Sequence, residues 1–327
     1  MTVVGRQRRR SGEQSMVPEA EFTSYYGRPV VKAAPWGPDI PAYLFLGGLA
    51  AGSAVLGAGA DLTRRLALRR VGRFGALGAI TVSFLVLVLD LGRPARFANM
   101  LRVAKPTSPM SVGIWILTLF GPSAGLAGAA EVRHLLPPRL RWLGRLLGAS
   151  ARPAGIAAAI AAPGVATYTA VLLSDTATPT WHEAHRELPF VFAGSAASAS
   201  GGLGMLAAPV AEAGPARRMA FAGAVLELAA GHRMESSMGL AVEPLHQGRA
   251  GVLMRASKVL TLAGAVGTPL AGRHRVAGMA AGAALLAGSA LARFAIFEAG
   301  QASARDPKYT VVPQRERLNQ ERTRRDS

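Results

Sequence analysis

The sequence predicts an all-α integral membrane protein, with about eight transmembrane helices in two four-helix bundles. Three observations lead there. Eight apolar runs are each long enough, or nearly so, to cross roughly 30 Å of hydrocarbon. Gly, Ala and Ser dominate several of them, as in GGLAAGSAVLGAGA and AGSAASASGGLG, the composition that lets helix backbones approach closely inside a membrane. The arginines collect in the short connections between runs. That placement also interprets the formal net charge of +18. In a soluble chain such a charge would suggest nucleic acid. Here the cations flank apolar runs, and the aromatics are too few and scattered to stack bases, so membrane lipid is the expected contact and nucleic acid is not. The chain has no Cys, which excludes disulfides and thiolate-held iron–sulfur or zinc centres within it. Any metal cluster must sit in a partner.

In chain order, residues 1–39 form a polar N-terminal tail. It carries Arg8, Arg9 and Arg10 but has no apolar stretch directly behind them, so it does not read as a signal peptide. Its last part, SYYGRPVVKAAPW, suits the membrane interface, where Trp and Tyr are favoured. The helical domain, 40–298, holds runs near 40–60, 72–91, 112–130, 154–173, 188–210, 219–238, 256–270 and 276–297. The sixth and seventh are the weakest. The sixth carries Glu227, His232 and Glu235, and the seventh is short and begins near Lys258. For either, an amphipathic surface helix competes with a span. Residues 299–327 form a polar, basic C-terminal tail with no helix-length apolar face, expected to be disordered or to lie along a partner.

Runs one and five share an initial Pro, an aromatic, a Gly/Ala/Ser stretch, an acid and a basic pair. They lie four runs apart, so they would point the same way, which suggests the two bundles. The odd connections hold most of the Arg (Arg64, Arg65, Arg69, Arg70; Arg133, Arg139, Arg141, Arg145; Arg217, Arg218; Arg273, Arg275). By the positive-inside rule this puts them in the cytoplasm, with both termini outside an inner (plasma) membrane. The second connection, with Arg93, Arg96, Arg102 and Lys105, runs against the trend.

No soluble-enzyme constellation or phosphate-binding loop is visible. His182 and His185 are spaced i and i+3 in the fourth connection, but two histidines are half a metal site, and flanking acids are common in loops. More informative are polar groups collected at one membrane face: Asp39 and Tyr43 at the start of run one, Asp90 at the end of run two, Tyr168 in run four, and Trp181 and His182 just beyond it. Each alone could be an interface anchor or a satisfied interhelical bond. Together they suit a lipid-soluble ring with two oxygens, which needs hydrogen-bond donors, a proton-exchanging carboxylate or His, and apolar walls. Asp90 follows an unbroken apolar run and precedes the turn Gly92-Arg93-Pro94, so it reads either as the proton-exchanging group beside Arg93 or as a helix-end ion pair. In the C-terminal half Glu227 is the deepest ionisable group and suggests a proton path. Lys258, Arg293 and Glu298 read equally well as snorkelling or helix-end ion pairs.

Several segments, in this order, resemble the NrfD / polysulfide-reductase membrane-subunit family: YGRPVVKAAPW followed by PAYLFLGGLAAGS, LDLGRPARFANML, KPTSPMSVGIWIL, YTAVLLSDTATPTW with LPFVFAGSAASASGG, and the final GSALARFAIFEAG. The resemblance extends from about residue 25 to 307, and the basic tails look like an actinobacterial branch found beside formate-dehydrogenase-like subunits. It implies a haem-free, eight-helix membrane subunit that binds menaquinone or ubiquinone and holds no metal. Its implied partners are a four-cluster iron–sulfur subunit and, through it, a molybdopterin catalytic subunit. The family's quinone site uses polar residues at the start of the first span and a Tyr in the fourth, which fall on Asp39, Tyr43 and Tyr168. Better-characterised members carry amide and imidazole groups at the first-span positions, where this chain has Asp39 and Tyr43. The expected function is a quinone-reactive membrane anchor of an oxidoreductase. A small-solute or proton transporter, and an assembly anchor with a degenerate quinone site, are the alternatives.

Overall fold

A computed structural model describes residues 29–90, 102 and 104–326. Nine long helices account for most of them: α1 Asp39–Leu62, α2 Leu66–Asp90, α3 Pro109–Ala129, α4 Arg141–Ser174, α5 Leu188–Ala207, α6 Gly214–Ser237, α7 Gly248–Gly267, α8 Arg275–Arg305 and α9 Lys308–Asp326. Short helical turns fill some of the connections, and no strand occurs among the described residues. All of these helices except α6 and α9 are long and apolar enough to cross a bilayer. The chain is therefore an all-α, multi-pass membrane protein. In α6 the apolar background is broken by Arg217, Arg218, Glu227, His232, Arg233 and Glu235.

Packing follows the two halves of the chain. In the first, α1 packs on α2, α2 on α3, α3 on α4, and α4 returns to α1. In the second, α5 packs on α6, α6 on α7, α7 on α8, and α8 returns to α5. The halves meet chiefly through α1 against α5, with α4 also on α5 and α8 on α1. The small-residue runs make these seams. A side chain added at Gly194 of α5 would put its Cβ 2.8 Å from the Gly223 carbonyl oxygen and 2.9 Å from the Glu227 Cα, both on α6. At Gly48 of α1 the same atom would lie 3.3 Å from the Ala196 Cβ and 3.5 Å from the Arg293 guanidinium. Glycine at these points lets α1, α5, α6 and α8 approach a shared centre, where the polar groups described below collect.

The end of the bundle that carries the odd connections is tied by ions. Arg69 and Arg73 of α2 both bond Asp61 of α1 (3.2 and 3.4 Å) and Glu131 in the turn after α3 (2.7 and 2.8 Å). Arg73 also donates to the Ala151 carbonyl of α4 at 3.2 Å. Glu212, between α5 and α6, accepts from the backbone N–H groups of Ala67 and Leu68 (2.8 and 3.1 Å), so it caps α2. Asp61 and Glu212 are the two acids of the internal similarity, and both end up holding the start of α2.

Two expectations need correction. The seventh run was expected over 256–270, but its helix begins at Gly248. Arg249, Arg255 and Lys258 made the first half look like a loop. Those side chains instead lie at the protein's polar end, Lys258 against Glu235 at 2.6 Å and Arg249 near Glu298 at 3.8 Å. The C-terminal tail contains a helix, α9, reached by an α8 that continues to Arg305. Tyr309 is buried and seats the start of α9. Its hydroxyl donates to Glu243 at 3.3 Å, and Lys308 Nζ lies 2.5 Å from the same oxygen.

The Lys308 hydrogen bond holds the Glu243 carboxyl below its ordinary value of 4.5. A carboxylate with a lowered folded value contributes above the unfolded value and loses that contribution as pH falls through the folded one. The attachment of α9 is therefore expected to be constant near neutrality and to loosen only below about pH 4.5. Because the chain has no Cys, spin labels at Leu240→Cys and Arg317→Cys would report it directly. The distance distribution should be narrow at pH 7, should broaden in acid, and should be broad at pH 7 in Glu243→Ala. A narrow distribution in Glu243→Ala would show that other contacts seat the helix.

Candidate functional site

Tyr43 and Tyr168 are brought together. Tyr43 lies one turn into α1 and Tyr168 near the end of α4, and the packing of α1 on α4 joins them. Their hydroxyl groups are hydrogen-bonded to each other, and both side chains are buried. Gly113 of α3 leaves room for the Tyr168 ring, because a Cβ there would collide with it. Ile40, Leu44, Ile80, Leu117 and Val165 are buried in the same cluster. The arrangement is a pair of phenol donors in an apolar surround near the end of the bundle that carries the even connections. Asp39, one turn before Tyr43, is exposed in the first turn of α1, where a carboxylate suits the positive end of the helix dipole.

Trp181 and His182 sit in the short helix Pro179–Glu183 beyond α4. Trp181 is fully buried. Its indole N–H donates to the Ile296 carbonyl of α8 at 2.8 Å. Its ring stacks on Trp36 at 5.8 Å and tilts against Phe297 at 5.7 Å. The indole donor is thus already used, and the residue pins the lead-in segment and the fourth connection to α8. Gln301 of α8 adds a bond to the Ala34 carbonyl at 2.9 Å. His182 lies 3.1 Å from the Ser174 carbonyl through Nδ1, and its ring stacks near His185 at 5.9 Å. It faces an open cleft of about 770 Å³ bordered by Asp175, Glu183, Met238, Tyr309 and Arg317. Among the described residues, no group of three or more His, Asp or Glu is arranged to hold a metal ion. Arg93 lies outside the described residues, as does the side chain of Asp90, whose backbone ends α2.

A second polar centre lies where the two halves meet. Glu227 of α6 is buried, with one carboxylate oxygen 3.1 Å from the Ser198 hydroxyl of α5. Arg293 of α8 is also buried here, without an ion pair to Glu227. The snorkelling reading of Arg293 is overturned: its side chain is 1% exposed, far from either end of α8. The guanidinium donates to the Phe192 carbonyl at 2.9 Å and lies 3.6 Å over the Phe192 ring, while Nε and Nη1 have no hydrogen-bond partner. Ser195 donates to Ser289 at 2.8 Å beside them. A cavity of about 30 Å³ separates Glu227 from the Lys258–Glu235 pair and is bordered by Thr261, whose hydroxyl is unpartnered. That space can hold a water or two. Sequence reasoning missed the serines, because within an Ala/Gly run they read only as small residues.

A family profile described as Polysulphide reductase, NrfD, matches residues 30–225. The chain belongs to the NrfD family. The match takes in Asp39, Tyr43, Tyr168, Trp181 and His182 and stops within α6, two residues before Glu227. NrfD proteins are the membrane subunits of polysulfide-reductase-like complexes, in which they act as quinone-binding anchors beside iron–sulfur and molybdopterin subunits. A search of curated proteins found no match.

The Arg293 centre makes a stability prediction. Arg293→Met takes a buried cation from the neighbourhood of Glu227 and from its bond to the Phe192 carbonyl, with an expected cost of about 1–3 kcal/mol. The double variant Arg293→Met/Glu227→Gln is expected to regain more than half of that loss. Denaturant unfolding of all four proteins in one detergent reads the cycle. Equal losses for the single and double variants would mean that packing, not charge pairing, is what the arginine contributes.

Proposed function

We propose that this NrfD protein is the quinone-reactive anchor of a molybdopterin and iron–sulfur oxidoreductase, with menaquinone or ubiquinone as the membrane carrier. The observation that carries the reading is the buried Tyr43–Tyr168 hydroxyl pair. Two neutral donors within apolar walls fit a flat ring bearing two carbonyl oxygens. The quinone, when bound, takes up or releases two electrons and two protons. Tyr43 and Tyr168 bind and orient the carbonyls by exchanging their mutual hydrogen bond for bonds to the ring. Trp181 acts by positioning, since its indole holds the fourth connection on α8. His182 and Asp39, nearer to water, are proposed to pass protons between the site and solvent. Asp90, at the end of α2, and Arg93, just beyond it in the sequence, are proposed to share that task.

Partner subunits are expected at the same end, next to the even connections, so that electrons need not cross the bundle. These are the four-cluster iron–sulfur subunit and the molybdopterin subunit behind it, of the formate-dehydrogenase or polysulfide-reductase kind. Two expected results test the quinone site. Tyr43→Phe and Tyr168→Phe should each fold and weaken binding of a quinone analogue roughly tenfold, the usual scale for losing one buried donor. Unchanged binding in both, or no binding by the wild type in well-folded nanodisc samples, would remove the assignment.

A second reading is supported by the buried Glu227, Arg293 and the neighbouring cavity: Glu227 exchanges protons along a path through the second half. Glu227→Gln would then slow proton flux in liposomes without altering quinone-analogue affinity. An orientation accompanies both readings. All eight of α1–α8 are proposed to span the plasma membrane, with the arginine-rich odd connections cytoplasmic. A reporter fused after Arg70 or Arg141 should be cytoplasmic and one at the C-terminus external. The reverse pattern would invert the docking face.

A further inference from the structure

From a cleft on the face opposite the tyrosines, we infer a binding site for the headgroup of an anionic phospholipid. The cleft has a volume of about 950 Å³ and lies between the turn that follows α3 and the first two turns of α4. Arg133, His134, Arg141 and Arg145 line it, with Leu136 and Pro138. No carboxylate lines it. The nearest acid in sequence, Glu131, is buried and already bonded to Arg69 and Arg73. Arg133, Arg141 and Arg145 make no ion pair among the described residues, so their charge is uncompensated within the chain.

The cleft is shaped, not a loose scatter of surface arginines. Gly148 lets the Arg133 guanidinium lie against α4, since a Cβ there would come 3.2 Å from its central carbon. Arg141, Arg145 and Gly148 recur at i, i+4 and i+7 and so share one face of α4.

Depth in the membrane selects a lipid over a soluble anion. A helix of 34 residues is about 50 Å long, well beyond the roughly 30 Å hydrocarbon thickness. The apolar stretch of α4 begins near Ala154, about 13 Å along the axis after Arg145, so the cleft stands on the water side of the hydrocarbon boundary, toward the headgroups. Trp142 and Leu146, on the adjoining face of α4, are 55% and 57% exposed, and Leu135 is 71% exposed. Exposed leucines and a Trp next to a cationic cleft match what a phospholipid presents at the interface, a phosphate above acyl chains. A free phosphate would use the arginines and leave the apolar residues in water.

The test uses the full chain in a neutral detergent, with phosphatidylglycerol, phosphatidylcholine or inorganic phosphate added, read by native mass spectrometry and by thermal unfolding. Phosphatidylglycerol should bind saturably and raise the melting temperature, while the other two should do neither. Arg141→Gln/Arg145→Gln should weaken phosphatidylglycerol binding by roughly tenfold or more. Arg64→Gln/Arg273→Gln removes the same charge from the same face outside the cleft and should bind as the wild type does. Equal weakening in both double variants would overturn the site in favour of diffuse attraction. Inorganic phosphate competing at millimolar concentration would overturn the lipid assignment in favour of a free-anion site. Saturable binding by the wild type is read first, so a cleft variant that fails to fold leaves the inference open to refutation by that measurement alone.

Discussion

A guanidinium buried at the junction of the two halves is the feature on which the arrangement of α1, α5, α6 and α8 depends. Arg293 enters from α8, donates to a carbonyl of α5 and covers the Phe192 ring, close to the buried Glu227 of α6 but not ion-paired with it. A charge in hydrocarbon survives only where partners are fixed around it. Fixing them demands backbone approach, and that is the role of Gly48 on α1 and Gly194 on α5. A side chain at Gly194 would collide with the backbone of α6, and one at Gly48 would press on Ala196 by a few tenths of an ångström. The small-residue composition and the buried ions are therefore one requirement seen from two sides.

The two ends of the bundle are held by different chemistry. At the odd end the fastening is ionic and joins Asp61, Arg69, Arg73 and Glu131 across α1, α2 and the turn after α3. At the even end the first half is held by neutral aromatic contacts, the tyrosine pair and Trp181 between Trp36 and Phe297, while the ion pairs there, Lys258–Glu235 and Lys308–Glu243, belong to the second half. This difference suits the proposed functions. A neutral ring is best received by neutral donors in a dry setting, since fixed charges there would favour water over quinone. An ionic end tolerates the headgroup region, where lipid phosphates and water compete for the same arginines.

Much of this was legible in the sequence for identifiable reasons. Apolar run length fixes the class of protein, because a helix is the economical way to satisfy a backbone in hydrocarbon. The proximity of Tyr43 and Tyr168 followed from counting crossings, which puts the start of a first span and the end of a fourth on one side. What stayed hidden depends on contacts between distant parts of the chain. Nothing local distinguishes Arg293 from an arginine that snorkels; its burial follows from Glu227, 66 residues earlier, and from a carbonyl on α5. Lys258 misled in the opposite direction. A cation ten residues into a helix reads as a loop end until Glu235 is seen beside it. Trp181 looked like a candidate ligand contact because interfacial Trp residues often are, and only the Ile296 carbonyl shows that its donor is taken.

The same physics separates the two proton-handling candidates. A carboxylate serves a bound quinone only if it can exchange protons with solvent while the ring stays dry. Asp39 meets the first condition, being exposed one turn from Tyr43. Glu227 meets the second, being sealed among α5, α6 and α8 with only a water-sized cavity leading to Glu235 and Lys258. The tyrosines lie between α1 and α4 and Glu227 between α5 and α6, so the two carboxylates belong to different halves of the molecule. Proton exchange at the quinone and proton movement through the second half are then distinct events. The halves touch along the seam that α1 shares with α5 and α8, where Gly48 meets both Ala196 and Arg293, and along the contact of α4 with α5. A shift at the Gly48 contact would bring a residue of the first half against Arg293, which lies close to Glu227, so that contact is a natural place for coupling between the halves.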